Sequence, residues 1–148
     1  NTYQVLPIAR EKGVEHLVTE LPARLSYLDS LQVMADSHGL LMLGNPSPHY
    51  TASKVFPYVL SRRPILALFH EQSSVVKILD ETRAGHSVTF SSERPLSGQV
   101  ETIYRELSAM ISQPRSWQPP THWEAFEQYT ARAMAQRLAS VLDKALVR

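Results

Sequence analysis

Apolar positions along the chain follow two alternating patterns. Short continuous runs stand between turn formers: Gly39-Leu40-Leu41-Met42-Leu43-Gly44, Pro64-Ile65-Leu66-Ala67-Leu68-Phe69-His70 and Ser87-Val88-Thr89-Phe90. Such runs predict strands buried on both faces, as in a parallel sheet. His16 to Glu20, stopped by Pro22, predicts a further short strand. Between the runs, apolar residues recur at helical spacing. A helix is expected near 3–12, ending at Gly13. Another carries Leu28, Leu31, Val33 and Met34 behind a Ser26 or Asp29 cap. Further helices are expected from Thr51 or Ala52 to about Leu60, from a Ser73 or Ser74 cap to about Arg83, and from Ser97 through Met110. Residues 112–122, with three prolines, read as a linker, and 123–147 as one long closing helix with a Phe126, Tyr129, Met134, Leu138 stripe. This alternation predicts an α/β, Rossmann-like three-layer sandwich with a mainly parallel sheet and a long C-terminal helix. Neither an internal repeat nor a low-complexity stretch interrupts it.

Size and charge narrow the possibilities. The 148 residues are 43% hydrophobic and 20% charged, enough for one self-sufficient core. A formal charge of +1 gives no strong field for nucleic acid. No apolar run reaches the roughly 20 residues of a membrane span, which leaves peripheral membrane contact open. There is no cysteine, which removes disulfides and thiolate chemistry and suits a reducing, cytoplasmic setting. The chain begins Asn1-Thr2-Tyr3 without an initiator Met, as a piece of a longer polypeptide would. The six histidines show no i, i+4 pair of the kind that holds a metal. No metal or cofactor is expected. The chain has no G-x-x-x-x-G-K-[ST] loop and no G-x-G-x-x-G, which argues against P-loop hydrolysis and ordinary dinucleotide binding; it has no G-x-S-x-G elbow either, which leaves a Ser-His-Asp triad open without that support.

Parallel sheets bind ligands beyond the carboxyl ends of their strands. The first such place runs from Gly44 and Asn45 through His49 to Tyr50, Thr51, Ser53 and Lys54. A helix start there offers unpaired N–H groups, and the side chains add two hydroxyls and a cation, a set suited to phosphate. The common alternative is plain capping by Thr51 or Ser53 beside a solvated Lys54. The second place holds His70, Glu71, Ser73 and Ser74: a carboxylate for sugar hydroxyls, and two serines that either meet phosphate or cap the helix. The third, Ser91 to Arg94, is weaker, and Arg94 before a proline reads as plain surface. No catalytic residue stands out.

The stretch from Tyr50-Thr51-Ala52-Ser53-Lys54 through Val55-Phe56-Pro57-Tyr58-Val59-Leu60-Ser61-Arg62-Arg63-Pro64-Ile65-Leu66-Ala67 resembles the SK-L-x-E-Y-L-A-x-G-x-P-I-L-A segment of GT-B glycosyltransferases, especially the retaining, glycogen-synthase-like superfamily. Ser74 to Leu79, the Ala84-Gly85 stop and a closing helix with Phe126 and Tyr129-Thr130-Ala131-Arg132 extend the resemblance from about Tyr27 onward. It implies the C-terminal, donor-binding half of a two-domain hexosyltransferase. That half would bind a nucleotide-diphosphate sugar and face an N-terminal acceptor-binding domain of the same polypeptide. Gly44 and its loop would face the sugar and phosphates. Tyr50, Thr51, Ser53 and Lys54 would surround the diphosphate, and Leu25 to Tyr27 would lie near the base.

The chain departs from that pattern at three positions. Pro57 and His49 stand where many members carry glutamates for ribose and sugar, and Arg62 stands where a glycine precedes the proline. Pro57 predicts a helix that begins near Phe56 or bends, since an interior proline costs about 3 kcal/mol. Glu71 is a candidate replacement for the missing carboxylate. The implied function is donor binding, with this piece alone inactive. The alternative is a catalytically degenerate binding or scaffold module of the same fold, and an unrelated flavodoxin-like domain is a third reading.

Overall fold

The computed structural model describes residues 2–146, so the expected last residue of the closing helix, Val147, lies outside the described residues. Two compact units divide the chain, Asn1–Gln32 and Val33–Arg148.

The first unit is built around α1 (Val5–Glu11). The expected strand at His16–Glu20 is a short 3-10 turn, Glu15–Leu17, followed by extended chain. The reason lies in Glu20. Its carboxylate accepts from the backbone N–H groups of Gln4, Val5 and Leu6 at 2.8 to 3.1 Å. It thus caps α1 from outside the helix, which satisfies donors that would otherwise lack partners. Those hydrogen bonds hold the Glu20 carboxyl below its ordinary range. α2 spans Tyr27–Asp36, and Ser26 begins it as expected: its Oγ accepts from Asp29 N at 3.1 Å and donates to the Asp29 carboxylate at 2.6 Å.

The second unit carries the sheet. Strands β1 (Leu40–Leu43), β2 (Ile65–His70) and β3 (His86–Phe90) run parallel in the order β1-β2-β3. Leu40 faces Ile65, and Leu68 faces Val88. One face is covered by α3 (Val55–Leu60) and α4 (Ser74–Thr82). Leu40, Met42, Ile65, Ala67 and Phe69 join Val55, Val59, Val75 and Leu79 there in one core cluster. The other face buries Leu66, Val88 and Phe90, with α5 (Val100–Ile111) packed against β2 and β3. The fold is the expected Rossmann-like three-layer α/β arrangement.

Burial departs from expectation at the sheet edges. Leu41 and Leu43 on β1 are 46% and 63% exposed, so this strand alternates instead of being covered twice. α5 covers β2 and β3 and leaves that face of β1 open. On β3 only Val88 and Phe90 are fully buried. The central strand β2 alone matches the two-sided reading, because helices flank both of its faces.

Pro57 sits third in α3. In the first turn its missing N–H removes no helical bond, so no kink is needed. The closing segment is two helices, α6 (Trp123–Glu127) and α7 (Ala131–Leu146). The break falls at Thr130, whose hydroxyl accepts from Ala133 N at 3.2 Å and so starts a new helix. α6 is anchored by Phe126 in the core. On α7, Met134, Leu138, Val141 and Leu142 are exposed. Residues 113–122, the expected extended linker, contain no helix or strand and are strapped down by hydrogen bonds. His38 Nε2 donates to the Gln113 carbonyl at 2.7 Å, Arg63 Nη1 to the Arg115 carbonyl at 3.0 Å, and His122 N to the Thr82 carbonyl at 2.7 Å.

Candidate functional site

The carboxyl ends of the three strands bring several of the expected residues together. After β1 the chain turns at Gly44, and glycine is required here for packing. A Cβ at Gly44 would stand 2.7 Å from the Phe69 ring and 3.1 Å from the Leu68 carbonyl oxygen, closer than contacting atoms approach. Tyr50 then stacks on the other side of that neighbourhood, its ring nearly parallel to Phe69 with centroids 6.2 Å apart.

Two hydrogen bonds join this loop to the start of α4. Ser73 Oγ donates to the Tyr50 carbonyl at 2.9 Å. Thr51 Oγ1 and Ser74 Oγ share a bond of 2.8 Å. Ser73 also caps α4, accepting from Val75 N at 3.3 Å. Its hydroxyl is therefore used twice by the fold, and the residue is buried. Thr51 and Ser74 stay nearer the surface, Thr51 exposed and Ser74 half-buried.

The helix start expected at Thr51 or Ala52 lies later. Residues 52–54 form a turn and α3 begins at Val55. Its first amides are already engaged: Val55 N bonds the Ala52 carbonyl at 3.0 Å and Phe56 N the Ser53 carbonyl at 3.4 Å, while Pro57 has no N–H. The anion-binding capacity of this terminus is accordingly smaller than a bare helix start would offer. Ser53 and Lys54 are exposed beside it, and Lys54 has no ion-pair partner among the described residues. Asn45 folds its side chain back to accept from Ser47 N at 2.9 Å, an Asx turn that stiffens the loop. His49 is exposed on the same loop.

Glu71 turns to the third loop. Arg94 reaches its carboxylate at 3.3 Å and the Thr89 hydroxyl at 2.9 Å. Arg94 lies on the surface as expected, and there it ties the β2 and β3 ends together. The position of Arg94 beyond a strand end was the available signal. His70 Nδ1 accepts from Gln72 N at 3.2 Å, with its ring edge-on to Phe90.

Charge decides which part of this edge suits an anion. Beside α4 lies a shallow depression of about 480 Å³ lined by Glu71, Ser73, Ser74, Lys77, Asp80 and Glu81. Its single cation, Lys77, is paired with Glu81 at 3.7 Å, so acidic groups dominate and repel phosphate. The opposite flank, with Thr51, Ser53 and Lys54, holds hydroxyls and an unopposed ammonium. Ser26 is occupied as a helix cap, and its neighbours Leu25 and Tyr27 are exposed in the first unit. Among the described residues, no group of three or more His, Cys, Asp or Glu is placed to hold a metal ion, and no helix is long and apolar enough to cross a membrane.

Compared with protein-family models, curated proteins and solved structures, the chain gives no match.

Proposed function

We propose that this chain is the nucleotide-sugar-binding part of a glycosyltransferase that takes a sugar from a nucleotide-diphosphate donor in the cytoplasm, with an acceptor-binding domain elsewhere in the same polypeptide. One observation carries the reading. The loop after β1 and the start of α4 are tied into a single polar edge by the Thr51–Ser74 and Ser73–Tyr50 bonds, with Lys54 exposed beside them. That edge lies where parallel sheets receive ligands. In this reading Thr51, Ser53 and Lys54 hold the diphosphate, and Lys54 offsets the negative charge that grows on it as the sugar departs. The neighbouring Gly44, Asn45 and His49 face the sugar, and Tyr50 stands beside the diphosphate. Alone the piece binds donor and does not turn it over.

A degenerate scaffold is the second reading, favoured by how fully the polar groups of this edge are already engaged. The Thr51 and Ser74 hydroxyls bond each other, and Arg94 neutralises Glu71. Such groups have partners already. Calorimetric titration with UDP-, GDP- and ADP-glucose separates the two. Donor binding predicts saturable heat with one of the three, and a loss of about tenfold or more in affinity for Lys54→Ala, as befits a charge-assisted hydrogen bond. No heat with any of the three leaves the scaffold reading standing.

A further inference from the structure

The fold leaves α7 almost bare. Of its residues only Ala133 is half-buried, and the others are exposed. A 16-residue helix is marginal alone in water and usually takes its stability from packing an apolar face. The contacts that α7 does make come from its polar side, where Ala133 N bonds the Thr130 hydroxyl and Arg137 donates to the Gln128 carbonyl. Met134, Leu138, Val141, Leu142 and Leu146 are all exposed.

At 3.6 residues per turn these five side chains, with the alanines between them, share an arc of about 160°. An arc so wide exceeds the narrow seam of a coiled coil. The charges are placed with equal order. Arg132 borders the arc on one side, and Arg137 and Lys144 border it on the other. Gln136, Ser140 and the one acidic residue of α7, Asp143, occupy the polar face between them. Among the described residues, neither Arg132 nor Lys144 has an ion-pair partner.

We infer that α7 is a docking helix for an anionic lipid surface, lying in the plane of the headgroups with its apolar arc turned into them. Interfacial helices pair a wide apolar face with bordering cations, whose aliphatic stems lie over apolar surface while their heads reach lipid phosphates. Three cations against one carboxylate select negatively charged lipid. The same excess opposes a second copy as the occupant, since two such helices face to face would bring like charges together. The helix lies on a bilayer and does not cross it: 16 residues rise about 24 Å, short of a hydrocarbon core of about 30 Å. None of the strand-end residues proposed for donor binding takes part, so the two readings stand or fall separately.

The test is cosedimentation of the whole chain with vesicles. Binding is expected to phosphatidylcholine vesicles that contain phosphatidylglycerol, about tenfold or more tighter than to phosphatidylcholine alone, and it should fade as salt rises. Leu138→Asp, at an exposed position, should keep the wild-type urea midpoint and weaken binding about tenfold or more. Arg132→Gln combined with Lys144→Gln leaves the apolar arc whole. That variant should also bind the anionic vesicles about tenfold or more weakly, with binding to the neutral ones unchanged. Equal binding of the wild type to both vesicle types overturns the inference. So does an absence of binding to either, which leaves the face to a protein partner. A lipid-free dimer in sedimentation equilibrium that Leu138→Asp abolishes overturns it as well, in favour of a second copy.

Discussion

Arg62 shows how much a single backbone angle explains. It holds φ at 57°, a left-handed conformation that costs an ordinary residue about 1–2 kcal/mol and glycine almost nothing. Its guanidinium lies 5.0 Å above the Trp123 ring, a contact that returns about 0.5–1 kcal/mol at an exposed site. The two effects can be separated. Arg62→Ala keeps the strain and loses the contact, and should lower stability by about 0.5–1 kcal/mol. Arg62→Gly loses the same contact and relieves the strain, and should be more stable than the alanine variant by about 1 kcal/mol. Urea midpoints decide, and an alanine variant at or above the glycine variant would sink the account. Tyr129 offers a second reading at this scale. Burial, together with its 2.5 Å hydrogen bond to Glu81, pushes its hydroxyl up to about 12. Its neutral form is thus favoured by folding. The stabilisation is complete below the ordinary value of 10.0 and fades as pH rises toward about 12. Phenolate absorbance should show one tyrosine titrating late, and Glu81→Gln should bring it earlier.

Among the elements, α1 depends on a residue nine positions beyond its end. Glu20 accepts three N–H groups of its first turn, and those bonds lower its carboxyl from 4.5. Their contribution is present above that ordinary value and is lost as pH falls through the lowered one. Glu20→Gln should therefore reduce α1 helicity at neutral pH and leave it unchanged in strong acid, where the wild-type residue is protonated as well. Amide exchange at Val5 and Leu6 measures this, and equal protection in both proteins at neutral pH would count against the cap. The same carboxylate explains why a strand was expected here and a cap was found. The apolar pattern of His16 to Glu20 reads locally, whereas the partner of Glu20 lies 14 to 16 residues away. The break at Thr130 has a similar origin. A stripe of apolar residues continues through it, but the hydroxyl at Thr130 caps a new helix, and sequence spacing alone cannot tell an interior threonine from a capping one.

Across the whole molecule, β1, β2 and β3 and their helices were legible because glycines and prolines punctuate runs of apolar residues. Which strand is buried on both faces was not, because that depends on strand order and on how far α5 reaches. At the strand ends, the residue types were legible and their pairing was not. Thr51 meets Ser74, and Glu71 meets Arg94, each across 23 positions of chain. The strap 113–122 has a mechanical consequence. A pull on the C-terminal end would first peel α7, which buries little. The load would then meet Phe126 in the core and the His122–Thr82 bond, and pass into α4 beside the central strand. The strands themselves come under tension only after that latch opens.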